Sequence, residues 1–368
     1  MGKLGCIFSG LALMVFGSVS AQEFGETNAI EVNYFTGNVL PHSPDLYHLI
    51  SGHPTGVMLS FSKQTHGNQE WERAYNFPDY GLFFLYQDFK NQYLGECYAM
   101  GLHYNFYFLQ RSLQFKISEG LAMATNPHDN ETNFKNGAFG SQFLANSNFA
   151  LSYRKQDLID KFGIQAGFIF THFSNGRIKS PNSGINTYDI YLGVNYNFDD
   201  RHQEYKTDTV ARPKFTEPIK YNFVLRSGVN ESPIIGSGQK PFYHIGFYAD
   251  KRISRKSALQ LGTELFLTES FKGFIDYTSE AYPEQHVSAN TDYKRIGVFI
   301  GHELFINKLS LEVQLGYYVY QPFKYDIPVY DRVGAKYYIW DKKIFTGLAV
   351  KTHGFLAEAM EFSIGARL

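Results

Sequence analysis

A long hairpin with a polar tip is encoded at residues 163–198, which read GIQAGFIFTHFSNGRIKSPNSGINTYDIYLGVNYNF. In both arms the even-numbered residues are mostly apolar, while several odd-numbered residues are polar. Because the side chains of a β-strand alternate between its two faces, each arm predicts a strand with one apolar face. Soluble strands average roughly five to six residues, whereas about ten residues are needed to cross hydrocarbon at a tilt. The hairpin therefore predicts strands of membrane-spanning length.

Runs of the same kind recur along the chain beyond Glu23, separated by clusters of Gly, Asn, Asp and Pro. Sixteen runs are found, and an even number is typical of outer-membrane barrels made from one chain. We therefore predict an all-β fold, an outer-membrane antiparallel β-barrel architecture with about sixteen strands. The predicted strands are 28–40, 54–65, 79–89, 95–109, 112–124, 140–156, 161–174, 185–198, 219–232, 242–254, 257–271, 293–307, 309–322, 331–341, 344–353 and 357–368.

The connections between these runs alternate between short and long, which is a second indication of an outer-membrane barrel. Two connections that should be short are long instead, at residues 65–78 and 199–218. The second is polar and charged, and we interpret it as a linker between two eight-strand halves, 22–198 and 219–368. Two small barrels and one wide barrel both fit this pattern. The weak similarity of residues 155–172 to residues 338–353 leaves a duplication of the halves open.

The composition excludes several other classes of protein. The chain has 368 residues, a net charge of −1 and 17% aromatic residues, including 34 Phe and 27 Tyr. This charge gives no electrostatic signature of nucleic-acid binding, and the aromatic content is too high for a disordered chain. A mean hydropathy of −0.28 is too polar for a bundle of membrane helices. A soluble exported β-sandwich is the alternative, but it does not require strands this long.

The N-terminus predicts export. Lys3 precedes an apolar run at residues 4–19, and small residues follow before a cleavage point after Ala21. This is the pattern of a signal peptide over residues 1–21. Cys6 lies inside that segment, so Cys97 would be the one cysteine of the mature chain and no disulfide is expected.

The hairpin also carries a candidate catalytic group. His172 and Ser174 are two positions apart on the apolar face, which puts their Cα atoms about 7 Å apart on one side of the strand. A hydroxyl and an imidazole at this distance can form the nucleophile–base pair of acyl transfer, with Asn186 across the hairpin to orient the imidazole. The alternative is a solvated strand end at the level of the lipid headgroups.

Topology places this group in the membrane. If the N-terminus of the barrel is periplasmic, the seventh strand runs outward and delivers Ser174 to the extracellular rim, on the side facing lipid. Lipopolysaccharide occupies the outer leaflet there. A lipid ester is therefore the expected kind of substrate.

The hairpin resembles the active-site hairpin of the lipid A 3-O-deacylases, with HFSN at residues 172–175 followed by KSPNSGI at residues 179–185. Those enzymes are eight-stranded outer-membrane barrels that remove an ester-linked acyl chain from lipid A. The resemblance implies lipid A or lipopolysaccharide as partner, the cell outer membrane as location, and no metal or other cofactor. It also implies these roles: Ser174 as nucleophile, His172 as general base oriented by Asn186, and Asn175, Gly176 and Asn182 around the oxyanion.

The chain departs from the family at two points. The family has a Glu where Asn186 stands, and its loop glycine falls one position later than Gly176. An amide can orient an imidazole but cannot neutralise an imidazolium, so weaker activity or a different acyl ester is expected. Asp189 cannot replace the Glu, because an odd-numbered residue points into the barrel. The alternative function is a non-enzymatic barrel, a pore or a structural or binding protein, with a decayed site.

Two further groups of residues are weaker candidates. Three histidines cluster in the first long loop, but their spacing matches no metal-ligand pattern, and we interpret them as packing or hydrogen-bonding residues. In the second half Gly354 and Phe355 stand where a nucleophile would be needed, so that half is expected to be non-catalytic. The residues concerned are His42, His48 and His53 in the loop, and His353, Glu358 and Glu361 in the second half.

Overall fold

The computed structural model describes residues 28–198, 205–207, 215–354 and 356–368. The predicted signal peptide lies outside the described residues, and so does most of the predicted linker. Within the described part of the chain, none of the helices has the length and apolar character needed to cross a membrane.

The first barrel consists of eight antiparallel strands, each paired with its neighbours in sequence, and it closes through pairing of the first strand with the eighth. This closure fixes the architecture as a small barrel rather than half of a wide one. The strands are β1 (Asn28–Val39), β2 (Thr55–Lys63), β3 (Asp79–Asp88), β4 (Glu96–Phe108), β5 (Leu113–Ala124), β6 (Phe143–Ile159), β7 (Phe162–Ser174) and β8 (Ile185–Asn197).

The second barrel repeats the arrangement and closes through pairing of its own first and last strands. The predicted fold class is therefore confirmed, and of the two arrangements left open the chain adopts two closed eight-stranded barrels. The strands are β9 (Lys220–Asn230), β10 (Lys240–Arg252), β11 (Ser257–Thr268), β12 (Arg295–Ile306), β13 (Leu309–Tyr320), β14 (Val329–Ile339), β15 (Ile344–His353) and β16 (Leu356–Arg367).

The strands present apolar side chains outward and polar side chains inward. On β8, Ile190 and Leu192 are 64% and 65% exposed, whereas Asp189 before them and Asn195 after them are buried. This inverts the pattern of a soluble protein and matches a barrel whose outer surface faces hydrocarbon. The alternation read from the sequence thus assigns the faces of the hairpin correctly.

The interior of the second barrel is filled by a network of buried ion pairs. Arg332 is fully buried and pairs with Glu264 at 2.7 Å and with Glu361 at 2.5 Å. Lys336 similarly lies 2.5 Å from Glu312. An eight-stranded barrel is just wide enough for side chains to fill it, so this packed interior argues against an open pore.

The two ends of each barrel differ. One end, here called the loop end, carries the long connections 40–54, 125–142 and 175–184 of the first barrel. The other end, here called the turn end, carries short turns and the long exception at residues 64–78, which contains helix α1 (Glu70–Ala74). A second helix, α2 (Ser270–Ala281), lies at the loop end of the second barrel, where the sequence predicted only a polar connection.

The barrels contact each other at both ends. At the loop end the backbone N–H of Ser180 donates to the carboxylate of Glu231 over 2.8 Å. At the turn end the Tyr75 hydroxyl donates to the carbonyl of Phe305 over 2.8 Å. Because loop end meets loop end and turn end meets turn end, the barrels stand side by side in the same direction.

Candidate active site

Ser174, His172 and Asn186 form a continuous chain of hydrogen bonds on the outer surface at the loop end. The Ser174 hydroxyl lies 3.0 Å from Nε2 of His172, and Nδ1 of that imidazole lies 2.6 Å from Oδ1 of Asn186. His172 and Asn186 are directly opposite each other in the register of β7 and β8, which is why the amide reaches the ring. The arrangement is that of a nucleophile, a general base and a group that orients the base.

A fourth residue, His42, extends this chain. Its Nε2 lies 2.8 Å from the carbonyl oxygen of Ser183, and its Nδ1 lies 3.2 Å from Nδ2 of Asn186. A carbonyl oxygen only accepts, so Nε2 carries the hydrogen, and Nδ1 of the neutral ring can only accept. Asn186 must then turn its NH2 toward His42 and its Oδ1 toward His172. The resulting tautomer of His172 leaves Nε2 free to accept the proton of Ser174.

From the sequence His42 was expected to be a packing or hydrogen-bonding residue of the first loop, with no connection to the hairpin. Closure of the barrel makes the connection, since β1 pairs with β8 and the N–H of Leu40 donates to the carbonyl of Asn186 over 2.8 Å. Only knowledge of the register in which β1 pairs with β8 could have placed His42 beside Asn186 in advance.

The other two histidines of the loop bind elsewhere. Nε2 of His48 bonds to the carbonyl of Lys135 at 2.7 Å, and Nδ1 of His53 bonds to the Asn38 side chain at 2.8 Å. Each of these histidines thus has its own hydrogen-bonding role.

The loop between β7 and β8 is folded back on itself beside Ser174. The N–H of Asn175 donates to Oδ1 of Asn182 over 2.8 Å, and the side-chain amide of Asn175 donates to the carbonyl of Lys179 over 2.8 Å. Gly176 adopts a φ of +60°, a left-handed conformation that glycine enters without steric cost. Among the described residues, the N–H of Gly176 and the NH2 of Asn182 have no hydrogen-bond acceptor. Both donors are free to bind an acceptor.

The carboxylate of Asp189 cannot join the site, as its odd position predicted. It is buried inside the first barrel, where it accepts a hydrogen bond from Thr187 over 2.7 Å. A different carboxylate, that of Glu119, does lie on the outer surface, bonded to Ser147 at 2.8 Å, and Ser147 is opposite His172 in the register. The Cα of Glu119 is therefore two strands away from the Cα of His172, about 10 Å. Its carboxylate accepts from Ser147 rather than from the imidazole, so it does not replace the missing Glu.

At the loop end of the second barrel, the described residues include no corresponding outward-facing pair. An exposed serine–histidine contact, that of Ser257 with His302, lies at the turn end instead. His353 points into the barrel, where its Nε2 lies 2.9 Å from the hydroxyl of Tyr318, whereas His172 points outward. Glu361 is bonded to His244 at 2.6 Å inside the same barrel. The sequence similarity of residues 155–172 and 338–353 therefore does not bring equivalent histidines to equivalent surfaces.

One cluster of potential metal ligands occurs among the described residues, formed by Asp326, His353 and Glu358. Glu358 is already paired with Arg295 at 2.5 Å and with Lys351 at 2.6 Å. Burial and the neighbouring Glu358 raise the pKa of Asp326. The two cations neutralise the cluster without a metal ion.

Two family models match the chain. Residues 55–195 match the model described as lipid A 3-O-deacylase (PagL). Residues 219–368 match the model described as acyloxyacyl hydrolase, C-terminal domain. The comparison with curated proteins returned no match.

Several solved structures are similar to the chain at low identity. Neisserial surface protein A is 12% identical, with a TM-score of 0.29, and the match covers 47% of this chain and 99% of that one. OccAB3 of Acinetobacter baumannii is 10% identical, with a TM-score of 0.22, and the match covers 93% of this chain and 98% of that one. A mutant porin of Rh. blastica is 8% identical, with a TM-score of 0.20, over 93% of this chain and 99% of that one.

Proposed function

Because the chain belongs to the lipid A 3-O-deacylase family, we propose that its first barrel is an outer-membrane esterase that hydrolyses an ester-linked acyl chain of lipid A. The observation that carries this proposal is the Ser174–His172–Asn186 hydrogen-bond chain on the outer surface of the barrel. The apolar surface around these residues lies in hydrocarbon, and the loop end faces the outer leaflet, where lipopolysaccharide resides. The described residues at the loop end of the second barrel form no such hydrogen-bond chain, and we assign that barrel a different role.

The reaction begins when His172 Nε2 takes the proton of Ser174 as the Oγ attacks the ester carbonyl carbon. The N–H of Gly176 and the amide of Asn182 stabilise the oxyanion of the tetrahedral intermediate. Collapse of the intermediate breaks the bond to the sugar oxygen, which leaves with the proton held by His172. Water then attacks the acyl-enzyme with His172 as base, and a free fatty acid is released as Ser174 is regenerated.

This mechanism is tested by fatty-acid release from purified lipid A by the folded protein in detergent–phospholipid micelles. We expect release by the wild type and none above background by Ser174→Ala. A wild-type protein that migrates as a folded barrel yet releases no fatty acid would instead support a non-enzymatic barrel, the alternative that the amide at position 186 favours.

Replacing Asn186 with Glu tests the departure from the family. A carboxylate accepts the Nδ1–H of His172 as the amide does, and it also stabilises the imidazolium that forms when Ser174 is deprotonated. We expect kcat of Asn186→Glu to be equal to or up to roughly 100-fold above that of the wild type, because electrostatic stabilisation is added without loss of orientation. The measurement is kcat for fatty-acid release. An inactive Asn186→Glu protein that is still folded would show that the amide has a role of its own.

A further inference from the structure

We propose that His42 is a positioning residue, an inference that rests on the proposed function. It orients the side chain of Asn186 so that an asparagine can act as the third member of the catalytic hydrogen-bond chain. An asparagine side chain can present either its oxygen or its NH2 to a neighbouring imidazole, and only the oxygen gives the tautomer that a general base needs. His42 Nδ1 lies against Nδ2 of Asn186 and removes this ambiguity. The family's Glu needs no such partner, because both carboxylate oxygens accept.

The position of His42 is set by the barrel rather than by the loop alone. Its Nε2 is held at 2.8 Å by the carbonyl of Ser183, which belongs to the same β7–β8 loop as the proposed oxyanion donors. The backbone beside it is tied to β8 through the hydrogen bond from Leu40 to Asn186. Both ring nitrogens are therefore engaged by the hairpin that carries Ser174.

The test is a double-mutant cycle in the full-length protein, with kcat and KM measured on purified lipid A. We expect His42→Ala to lower kcat about tenfold or more with little change in KM, since the unheld amide turns its NH2 toward His172 for much of the time. In an Asn186→Glu background the same substitution should change kcat by less than about twofold, because a carboxylate has no wrong orientation. A purely structural role of His42 would give the same loss in both backgrounds.

His48→Ala is the matched control, because His48 lies in the same loop and bonds a carbonyl through Nε2 without contacting Asn186. We expect its kcat to equal that of the wild type. Wild-type kcat in His42→Ala, or an equal loss in both backgrounds, would overturn the role of His42 while leaving the esterase intact. Absence of any Ser174-dependent release from the wild type would refute the esterase itself.

A separate set of contacts assigns a role to the second barrel, and here too the inference rests on the proposed function. Glu231 and Ser232, at the loop end of the second barrel, are buried against the β7–β8 loop of the first. Glu231 donates its N–H to the carbonyl of Arg177 over 3.1 Å, and the Ser180 hydroxyl donates to the carbonyl of Ser232 over 2.7 Å. We infer that the second barrel holds this loop in the conformation that aims its oxyanion donors.

Glu231 is the central residue of this contact. One carboxylate oxygen accepts from the N–H of Ser180 over 2.8 Å, and the other accepts from the N–H of Gly238 in its own loop over 2.8 Å. The carboxylate thus ties the two loops together through backbone groups. Met360 of β16, in the second barrel, packs closely against Gly176. A Cβ added to Gly176 would lie only 3.0 Å from the Cβ of Met360. Gly176 is fixed between its own barrel and the neighbouring one.

The test replaces Glu231 and follows both the loop and the chemistry in the full-length protein. We expect Glu231→Ala to speed hydrogen exchange at the N–H of Ser180 and to lower kcat about tenfold or more with little change in KM, because a displaced oxyanion donor is lost to the transition state. Labelling of Ser174 by a fluorophosphonate should slow in parallel. Glu231→Gln keeps one acceptor oxygen, so its kcat and its exchange rate at Ser180 should lie between those of the wild type and those of Glu231→Ala.

Glu70→Ala is the control, since Glu70 pairs with Arg255 at 2.9 Å across the turn end of the same two barrels. It should leave kcat and the exchange at Ser180 unchanged. Two results for Glu231→Ala would overturn the positioning role of the second barrel. One is faster hydrogen exchange at Ser180 with a wild-type kcat, and the other is unchanged exchange at Ser180. Neither result would affect the Ser174-dependent activity that defines the esterase.

Discussion

Replacing His172 with alanine is expected to lower kcat for fatty-acid release by roughly 10⁴-fold or more. The hydroxyl of Ser174 is a poor nucleophile while it keeps its proton, and the imidazole 3.0 Å away is the group placed to remove it. The same imidazole must return the proton to the leaving sugar oxygen. Both steps fail together when it is removed. The measurement is the rate of fatty-acid release from lipid A by the purified, folded variant.

The double variant His172→Ala/Ser174→Ala provides the internal control. Residues of one catalytic hydrogen-bond chain act as a unit, so removing both side chains should lower kcat little more than removing either one. His48→Ala, which removes an imidazole from a nearby loop, should be active. A His172→Ala protein with more than about a tenth of wild-type activity would contradict the assignment of His172 as general base.

Replacing Arg332 with alanine is expected to destabilise the second barrel by about 3–5 kcal/mol. Arg332 is fully buried, and its guanidinium neutralises Glu264 and Glu361 and also bonds the side-chain oxygen of Gln314 at 2.6 Å. Without it, two carboxylates remain in a low-dielectric interior with fewer cations. The measurement is the free energy of unfolding by urea in lipid vesicles, supported by the temperature at which the folded band is lost on gels.

The control for this prediction is Lys90→Ala, which breaks an exposed ion pair with Asp88. An exposed ion pair contributes little to the free energy of unfolding, because water and salt screen the two charges. An Arg332→Ala protein as stable as Lys90→Ala would show that the interior charges are not structural. It would also favour an open, water-filled interior for the second barrel.

The sequence was sufficient to predict the strands and their faces, because both follow from a local period of two. All sixteen predicted ranges overlap the observed strands, and the outward direction of His172 and Ser174 follows from the same parity. The helix at residues 270–281 was missed because this segment was interpreted as the end of a strand followed by a polar connection, although Phe271, Phe274 and Ile275 have the spacing of an amphipathic helix. It packs through Phe271, Phe274 and Ile275 against the loop-end residue Phe323, a contact that no local pattern reveals.

The choice between two barrels and one could not be predicted, because it depends on which distant strands pair. The contact of β1 with β8 joins residues that are far apart in the sequence, and an eight-stranded and a sixteen-stranded closure use the same alternating pattern. The roles proposed for His42 and Glu231 could not be predicted for the same reason. His42 reaches Asn186 only through that closure, and Glu231 reaches Ser180 only through the contact between barrels.

The most direct test is the mass of lipid A from cells that carry the protein in their outer membrane. Lipid A from cells with the wild-type protein should be lighter by one ester-linked acyl chain than lipid A from cells with equal amounts of folded Ser174→Ala. Identical lipid A in the two strains, with both proteins folded in the outer membrane, would contradict the proposal that Ser174 cleaves a lipid A ester.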